Sequence, residues 1–299
     1  MKRLYCLYII ILCLAISIPS YAQFTINGKN IIYDKQNDTY MASIPEDAFG
    51  KDYEAIILLD IASDWSDLSI DGTQIAYSYT FKQVEGNKLY SIHARKGNKE
   101  INTKITFTFL PLLVLQGSFG YDYAQGSMSL YSPDATEPTL SLIKAKWRGG
   151  TTNTADKHKR NYKIKSLNFK GKGQDISLLG MREDNNWILD AGQIDLFRLR
   201  NRIATEVWND FATKPYYASK EPKAKSGVAG KVVEVILNNE YRGIYSLTEA
   251  MDRKELKLKK YDDKNQEFHG QLWKVSSWDK ATFWDIDKDY DNTQETWHA

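Results

Sequence analysis

The sequence has 299 residues, of which 40 are Lys or Arg and 38 are Asp or Glu. So balanced a charge excludes bulk electrostatic attraction to nucleic acid, and no nucleic-acid partner is expected. The length is sufficient for two domains of ordinary size.

The N-terminus, residues 1–22, is predicted to be a cleaved secretory signal, because a basic start and a long apolar run precede a small-residue site at Ala22. A membrane anchor is the alternative, but an apolar run of roughly 16 residues is short for a bilayer span. Both cysteines, Cys6 and Cys13, lie in this signal, so the mature chain is expected to have no disulfides. We therefore expect a secreted, periplasmic or cell-surface protein with no membrane span after signal cleavage.

Residues 23–119 are predicted to form an accessory β-sandwich domain. Short apolar or alternating runs, such as residues 55–61 and 105–110, are separated there by turn pairs such as Asp71-Gly72 and Gly97-Asn98. Residues 120–138 are rich in turn-forming residues and indicate a linker.

The second domain is predicted to span residues 139–299. Its expected elements, in chain order, are a strand over 140–147, a strand over 160–165, a helix over 193–212 and a hairpin with a turn at Asn238-Asn239. The helix carries Leu196, Leu199, Ile203, Val207 and Phe211 three or four residues apart, and we expect that face to belong to the core. A sandwich followed by this mixture of strands and helix predicts an α+β fold class.

Several short blocks of this domain occur in a characteristic order. They are Trp147-Arg148-Gly149, Arg160-Asn-Tyr-Lys-Ile164, Asn186-Trp-Ile-Leu-Asp190, Leu199-Arg-Asn-Arg-Ile-Ala204, Val233-Glu-Val-Ile-Leu-Asn238, Tyr241-Arg-Gly-Ile-Tyr-Ser-Leu-Thr-Glu249 and Met251-Asp-Arg-Lys254. Together they resemble the CotH kinase family, the spore-coat protein H-like atypical protein kinases, over about residues 139–275. The sandwich lies outside the resemblance.

The resemblance implies a secreted enzyme that transfers phosphate from ATP, bound with Mg²⁺ or Mn²⁺, to Ser or Thr hydroxyls of an extracytoplasmic protein substrate. It also implies a fold like the N-lobe of a protein kinase, with Glu249 at the point where the hinge begins. The family carries its metal-binding carboxylates well downstream of the hairpin, so the catalytic residues are expected beyond Ala299 and the C-terminal part of the domain is expected to be missing. Trp284-Asp285-Ile286-Asp287 spells the metal-binding pattern but follows Glu249 too closely, which makes Asp285 and Asp287 weak candidates.

Six residues are predicted to bind the nucleotide: Arg148, Lys163, Lys165, Glu206, Glu249 and Asp252. A phosphoryl-transfer site needs cations around the phosphates, and Lys163 and Lys165 share one face of a strand whose other face carries Tyr162 and Ile164. Glu206 could pair with such a lysine, as the helix glutamate of kinases does, but a glutamate in mid-helix near Arg202 is more often a surface partner of that arginine.

A catalytically inactive surface binding or adhesion module on the same fold is the alternative function. The sequence leaves that choice open, because the carboxylates that would distinguish the two readings belong to the expected downstream segment.

Overall fold

The computed structural model describes residues 24–59, 66–154, 156–259, 261–262, 264–266, 272, 274–275 and 297–298. The predicted signal peptide, Asp285 and Asp287 lie outside the described residues. Within the described residues, no helix combines the length and the apolar character that crossing a membrane requires.

Two sheets form the N-terminal part of the fold. Their strands are β1 Phe24–Ile26, β2 Lys29–Asn30, β3 Ile32–Asp34, β4 Thr39–Ser43, β5 Tyr53–Leu59, β6 Ser66–Ile70, β7 Thr73–Gln74, β8 Ser78–Phe81, β9 Tyr90–Lys96 and β10 Lys99–Thr108. One sheet has the order β2-β1-β5-β8 and the other β3-β4-β10-β9-β6-β7. Side chains from both sheets, among them Phe24, Phe81, Ile105 and Phe107, pack into one core cluster. That is the layered arrangement of a β-sandwich.

Seven further strands close into a barrel with the order β11-β12-β13-β14-β15-β17-β16. They are β11 Leu112–Gln116, β12 Ala124–Tyr131, β13 Thr139–Arg148, β14 Asn161–Leu167, β15 Asn186–Asp190, β16 Gly230–Leu237 and β17 Glu240–Glu249. A single α-helix among the described residues, α1 Arg200–Phe211, connects β15 to β16. A separate pair, β18 Lys274–Val275 and β19 Trp297–His298, is antiparallel.

The predicted α+β class, with a kinase N-lobe after the sandwich, is wrong. The described chain is mostly β-structure, with one α-helix and a closed seven-stranded barrel. The barrel includes β11 and β12, which precede the predicted second domain, and β11 pairs in parallel with β16 through Leu112 and Glu234. Parallel pairing between strands so distant in the chain leaves no local sequence signal, which is why the pattern of elements did not reveal it.

The chain divides into two compact units. The first comprises Met1–Lys144 and Val232–Ile244, and the second comprises Ala145–Lys231 and Tyr245–Ala299. This division differs from the predicted boundary near residue 139, and β12 occupies much of the segment that the turn residues suggested as a linker.

The helix is shorter than predicted, and its apolar face is not core. Arg198 has a φ of 64°, which no α-helix accommodates, so α1 begins only at Arg200. The Asp195 carboxylate accepts hydrogen bonds from the N–H groups of Phe197 at 3.1 Å and Arg200 at 2.9 Å, which favours a turn there over a helix. Ile203 is 55% exposed and Val207 is 52% exposed, whereas the buried helix residue is Arg202.

The predicted hairpin is confirmed. β16 and β17 are neighbours in the barrel, and the turn residues Asn238 and Asn239 have φ values of 52° and 63°. Asparagine tolerates this left-handed conformation better than most residues, and two consecutive positive φ values fit the twist of a two-residue hairpin.

Candidate functional site

Lys163 and Lys165 lie on the outer face of β14. The strand alternates so that Tyr162 and Ile164 are buried while both lysines are partly exposed, as their parity predicted. Lys163 is directly opposite Ile188 on β15, and Ile188 is opposite Thr248 on β17. Residues opposite each other on adjacent strands share a face. Ile188 and Thr248 therefore lie on the same outer face of the barrel as the two lysines.

The loop that leads into β14 is anchored at its base. Arg148 is the exposed last residue of β13, and Gly149 follows it with a φ of 106°. A Cβ at Gly149 would collide with the Thr152 hydroxyl, so only glycine fits there. Asn161 holds this loop to the barrel, since its side chain donates to Thr152 Oγ1 at 3.2 Å and accepts from the Ala191 N–H at 2.7 Å.

Lys159 is a residue of this region that the sequence did not single out. Its ammonium lies 4.3 Å from the centroid of the Tyr245 ring. Burial, with a further contribution from the Arg198 charge, lowers the pKa of Lys159 to about 8, although Asp190 partly offsets both effects. A lysine in a charged loop gives no signal of burial in a single sequence.

Glu206 is placed as a surface partner within its own helix. Its carboxylate lies 3.2 Å from Arg202 Nε, four residues earlier, and its side chain is more than half exposed. The sequence left two partners open for Glu206, a strand lysine and Arg202. The structure shows the pair with Arg202, four residues earlier in the same helix.

Glu249 ends β17 as a fully buried acceptor. Its Oε1 accepts from the Arg182 N–H at 2.9 Å, its Oε2 accepts from the Ala229 N–H at 2.8 Å, and Lys225 Nζ lies 3.2 Å from both oxygens. Burial alone would raise the pKa of Glu249, but these hydrogen bonds and the Lys225 charge outweigh it, and the pKa lies below its ordinary value. The carboxylate is thus charged and fully engaged within the protein.

Arg182 connects three further carboxylates. Its guanidinium lies 2.6 Å from Asp184 Oδ2, 2.8 Å from Glu255 Oε2 and 3.4 Å from Asp252 Oδ1. Asp252, the sixth predicted site residue, also accepts from the N–H groups of Lys254 and Glu255 and so shapes the turn after β17. The structure therefore brings Glu249 and Asp252 together through Arg182.

The pKa values of the acids in this network are shifted in opposite directions. Burial and the nearby charge of Glu249 raise the pKa of Glu255, and Arg182 and Lys225 offset this only in part. Burial would also raise the pKa of Asp184, but Lys254, the Asn185 N–H and Arg182 bring it below the ordinary value. Sequence reasoning missed Arg182, Asp184, Lys225 and Glu255, because charged loop residues show no periodicity that separates buried from solvated positions.

The described chain is thus mostly β-structure, with a closed barrel and a largely buried network of basic and acidic side chains around Arg182 and Glu249. A protein-family model described as CotH kinase protein matches residues 145–298, more than half of the chain, and begins at the residue where the second unit begins. The chain belongs to the CotH kinase family. No curated protein matches it.

Proposed function

We propose that this protein acts in ATP-dependent phosphoryl transfer to Ser or Thr hydroxyls of proteins outside the cytoplasm. Membership of the CotH kinase family supports the reaction class. The predicted signal at residues 1–22 supports an extracytoplasmic location and an extracytoplasmic protein substrate.

The outer face of β14 is the surface that we propose for the nucleotide. The observation that carries this proposal is the shared face of Lys163 and Lys165, with Ile188 and Thr248 in register beside Lys163. Two ammonium groups two residues apart on one strand can neutralise adjacent phosphate oxygens, which phosphoryl transfer requires. Arg148, at the end of the neighbouring strand β13, is the third cation that we assign to the phosphates.

The chemistry of this face fits the phosphates of ATP, because phosphate oxygens are negatively charged and accept hydrogen bonds from cationic donors. A bound Mg²⁺ or Mn²⁺ would supply further neutralisation of the phosphate charge. Within the described residues, no group of three or more His, Cys, Asp or Glu side chains could hold a metal ion. We therefore assign no metal ligands, and the weak candidates Asp285 and Asp287 lie outside the described part of the chain.

Calorimetric titration of the full chain with ATP, in the presence of Mg²⁺ or Mn²⁺, tests the nucleotide site. The double variant Lys163→Ala/Lys165→Ala should bind more weakly by about 1–3 kcal/mol or more, the scale of losing charge-assisted hydrogen bonds. Lys172→Ala/Lys231→Ala is the matched control, because both are exposed lysines of the same unit. Unchanged affinity in a double variant that unfolds like the wild type would refute the assignment. Nucleotide binding without transfer of the γ-phosphate to protein would instead favour a binding module.

A further inference from the structure

A cavity of about 480 Å³ opens among three segments of the second unit, a size within the roughly 300–1,000 Å³ range of ligand pockets. Five described residues that line it are cations, and one is an acid: Arg182, Lys214, Lys223, Lys225, Lys257 and Glu255. None of the residues that we propose for the nucleotide lines this cavity. The residues that line it are therefore mostly cations, and none of them belongs to the proposed nucleotide surface.

Hydrogen bonds fix the walls of the cavity. The Lys225 N–H donates to the Glu255 carbonyl at 3.3 Å, and the Tyr217 hydroxyl donates to the Leu256 carbonyl at 2.8 Å. The Arg182 guanidinium reaches the same wall through Glu255 Oε2. Because these contacts connect all three segments, a ligand would find the cavity formed and would not bear the cost of ordering it.

The five cations are not equivalent. Arg182 and Lys225 are compensated by ion pairs with the buried carboxylates of Asp184, Glu249 and Glu255, and Arg182 also lies 3.4 Å from Asp252 Oδ1. Lys214, Lys223 and Lys257, in contrast, form no ion pair with any described residue while lining the same cavity. Three like charges around one cavity repel each other, and an anion inside it would relieve that repulsion.

We propose that this cavity is a binding site for a phosphate dianion, as found in a phosphomonoester. A phosphate group matches the lining in charge, since it carries nearly two negative charges at neutral pH. A phosphate group also has three terminal oxygens, each of which can accept a hydrogen bond from an ammonium group. The phosphate could belong to a phosphorylated protein side chain or be free in solution, and the chemistry of recognition is the same for both.

Calorimetric titration of the full chain with inorganic phosphate, at constant ionic strength, tests the proposal. The variant Lys214→Gln/Lys223→Gln/Lys257→Gln should lose affinity by about tenfold or more, because it removes the charged donors. The control Lys170→Gln/Lys172→Gln/Lys231→Gln makes the same charge change at exposed lysines of the same unit that do not line the cavity, and it should stay within about twofold of the wild type. Both variants should unfold at the same denaturant concentration as the wild type.

Absence of phosphate binding by the wild type, or an equal loss in the cavity variant and the control, would overturn the proposal. A phosphoserine peptide and its unphosphorylated counterpart distinguish the sources of phosphate. Tighter binding of the phosphopeptide than of phosphate assigns the site to phosphoproteins, whereas equal or weaker binding assigns it to free phosphate.

Titration with MgATP supplies the third arm. A selective loss of MgATP binding in the cavity variant would give the cavity to the nucleotide and overturn the separate site. Failure of the proposed nucleotide surface would appear elsewhere, as unchanged MgATP affinity in Lys163→Ala/Lys165→Ala.

Discussion

Lys225 Nζ lies 3.2 Å from both carboxylate oxygens of Glu249, and this pair joins the last residue of β17 to the loop that precedes β16. The Glu249 side chain is fully buried, while nearly half of the Lys225 side chain is exposed. A buried charge held by one partly exposed cation and two backbone N–H groups depends on all of its donors.

Replacing Glu249 with Gln should therefore destabilise the protein strongly. The amide keeps the shape of the side chain but loses the charge that compensates Lys225, and its NH₂ group would face a backbone N–H donor. We expect the free energy of unfolding to fall by about 3 kcal/mol, the scale for breaking a buried ion pair. Urea denaturation measures it. Glu183→Gln is the control, since Glu183 is an exposed acid of the Arg182 loop, and it should change stability by less than about 0.5 kcal/mol. Equal values for the two variants would mean that the Glu249 network contributes little.

The dependence of this effect on pH has a definite sign. The pKa of Glu249 is below its ordinary value of 4.5 in the folded protein, so the unfolded chain takes up the proton more readily. The stabilisation by Glu249 is then complete above pH 4.5 and is lost as the pH falls through the lower folded pKa. The difference in unfolding free energy between wild type and Glu249→Gln should accordingly shrink when denaturation is repeated in progressively more acidic buffers.

Glu255 should make the stability of the protein depend on pH in the opposite direction. Burial and Glu249 raise its folded pKa above the ordinary 4.5, so the folded state binds the proton more tightly than the unfolded state does. Ionised Glu255 therefore reduces stability as the pH rises from 4.5 through the folded pKa. Across that window, Glu255→Gln should gain stability relative to the wild type. A parallel pH dependence for the two proteins would contradict the environment described for Glu255.

Truncating the exposed face of α1 should cost little. Val207 is 52% exposed, so Val207→Ala removes few packed contacts, and alanine favours the helix over valine. We expect a change in unfolding free energy of less than about 0.5 kcal/mol, whereas Leu189→Ala, in the barrel core, should cost about 2–5 kcal/mol. A loss at Val207 as large as that at Leu189 would show that the face is covered in solution.

The helix α1 could be predicted from the sequence, but the exposure of its apolar face could not. The spacing of Leu196, Ile203, Val207 and Phe211 is typical of an amphipathic helix, and a helix does form over much of the predicted range. Periodicity reports only that apolar residues share a face, and whether another element covers that face depends on tertiary packing. The hairpin was more predictable because a two-residue turn requires a local backbone conformation, two positive φ values, that asparagine adopts readily.

The candidate site likewise has one feature that the sequence predicts and one that it does not. The parity of Lys163 and Lys165 was readable from the alternation with Tyr162 and Ile164, since a strand has a period of two. The association of Arg182 with Asp184, Asp252 and Glu255 could not be predicted from the sequence, because it depends on which loops meet in the folded chain.

Labelling of lysines by an acyl-phosphate derivative of ATP tests the nucleotide site most directly. Such a reagent acylates lysines that lie beside the phosphates of the bound nucleotide, and mass spectrometry of the digested full chain identifies them. We predict modification of Lys163 or Lys165 that excess MgATP suppresses, with Lys231 unmodified or insensitive to MgATP. Modification that MgATP suppresses only at Lys214, Lys223 or Lys257, or at no lysine, would contradict a nucleotide site on the outer face of β14.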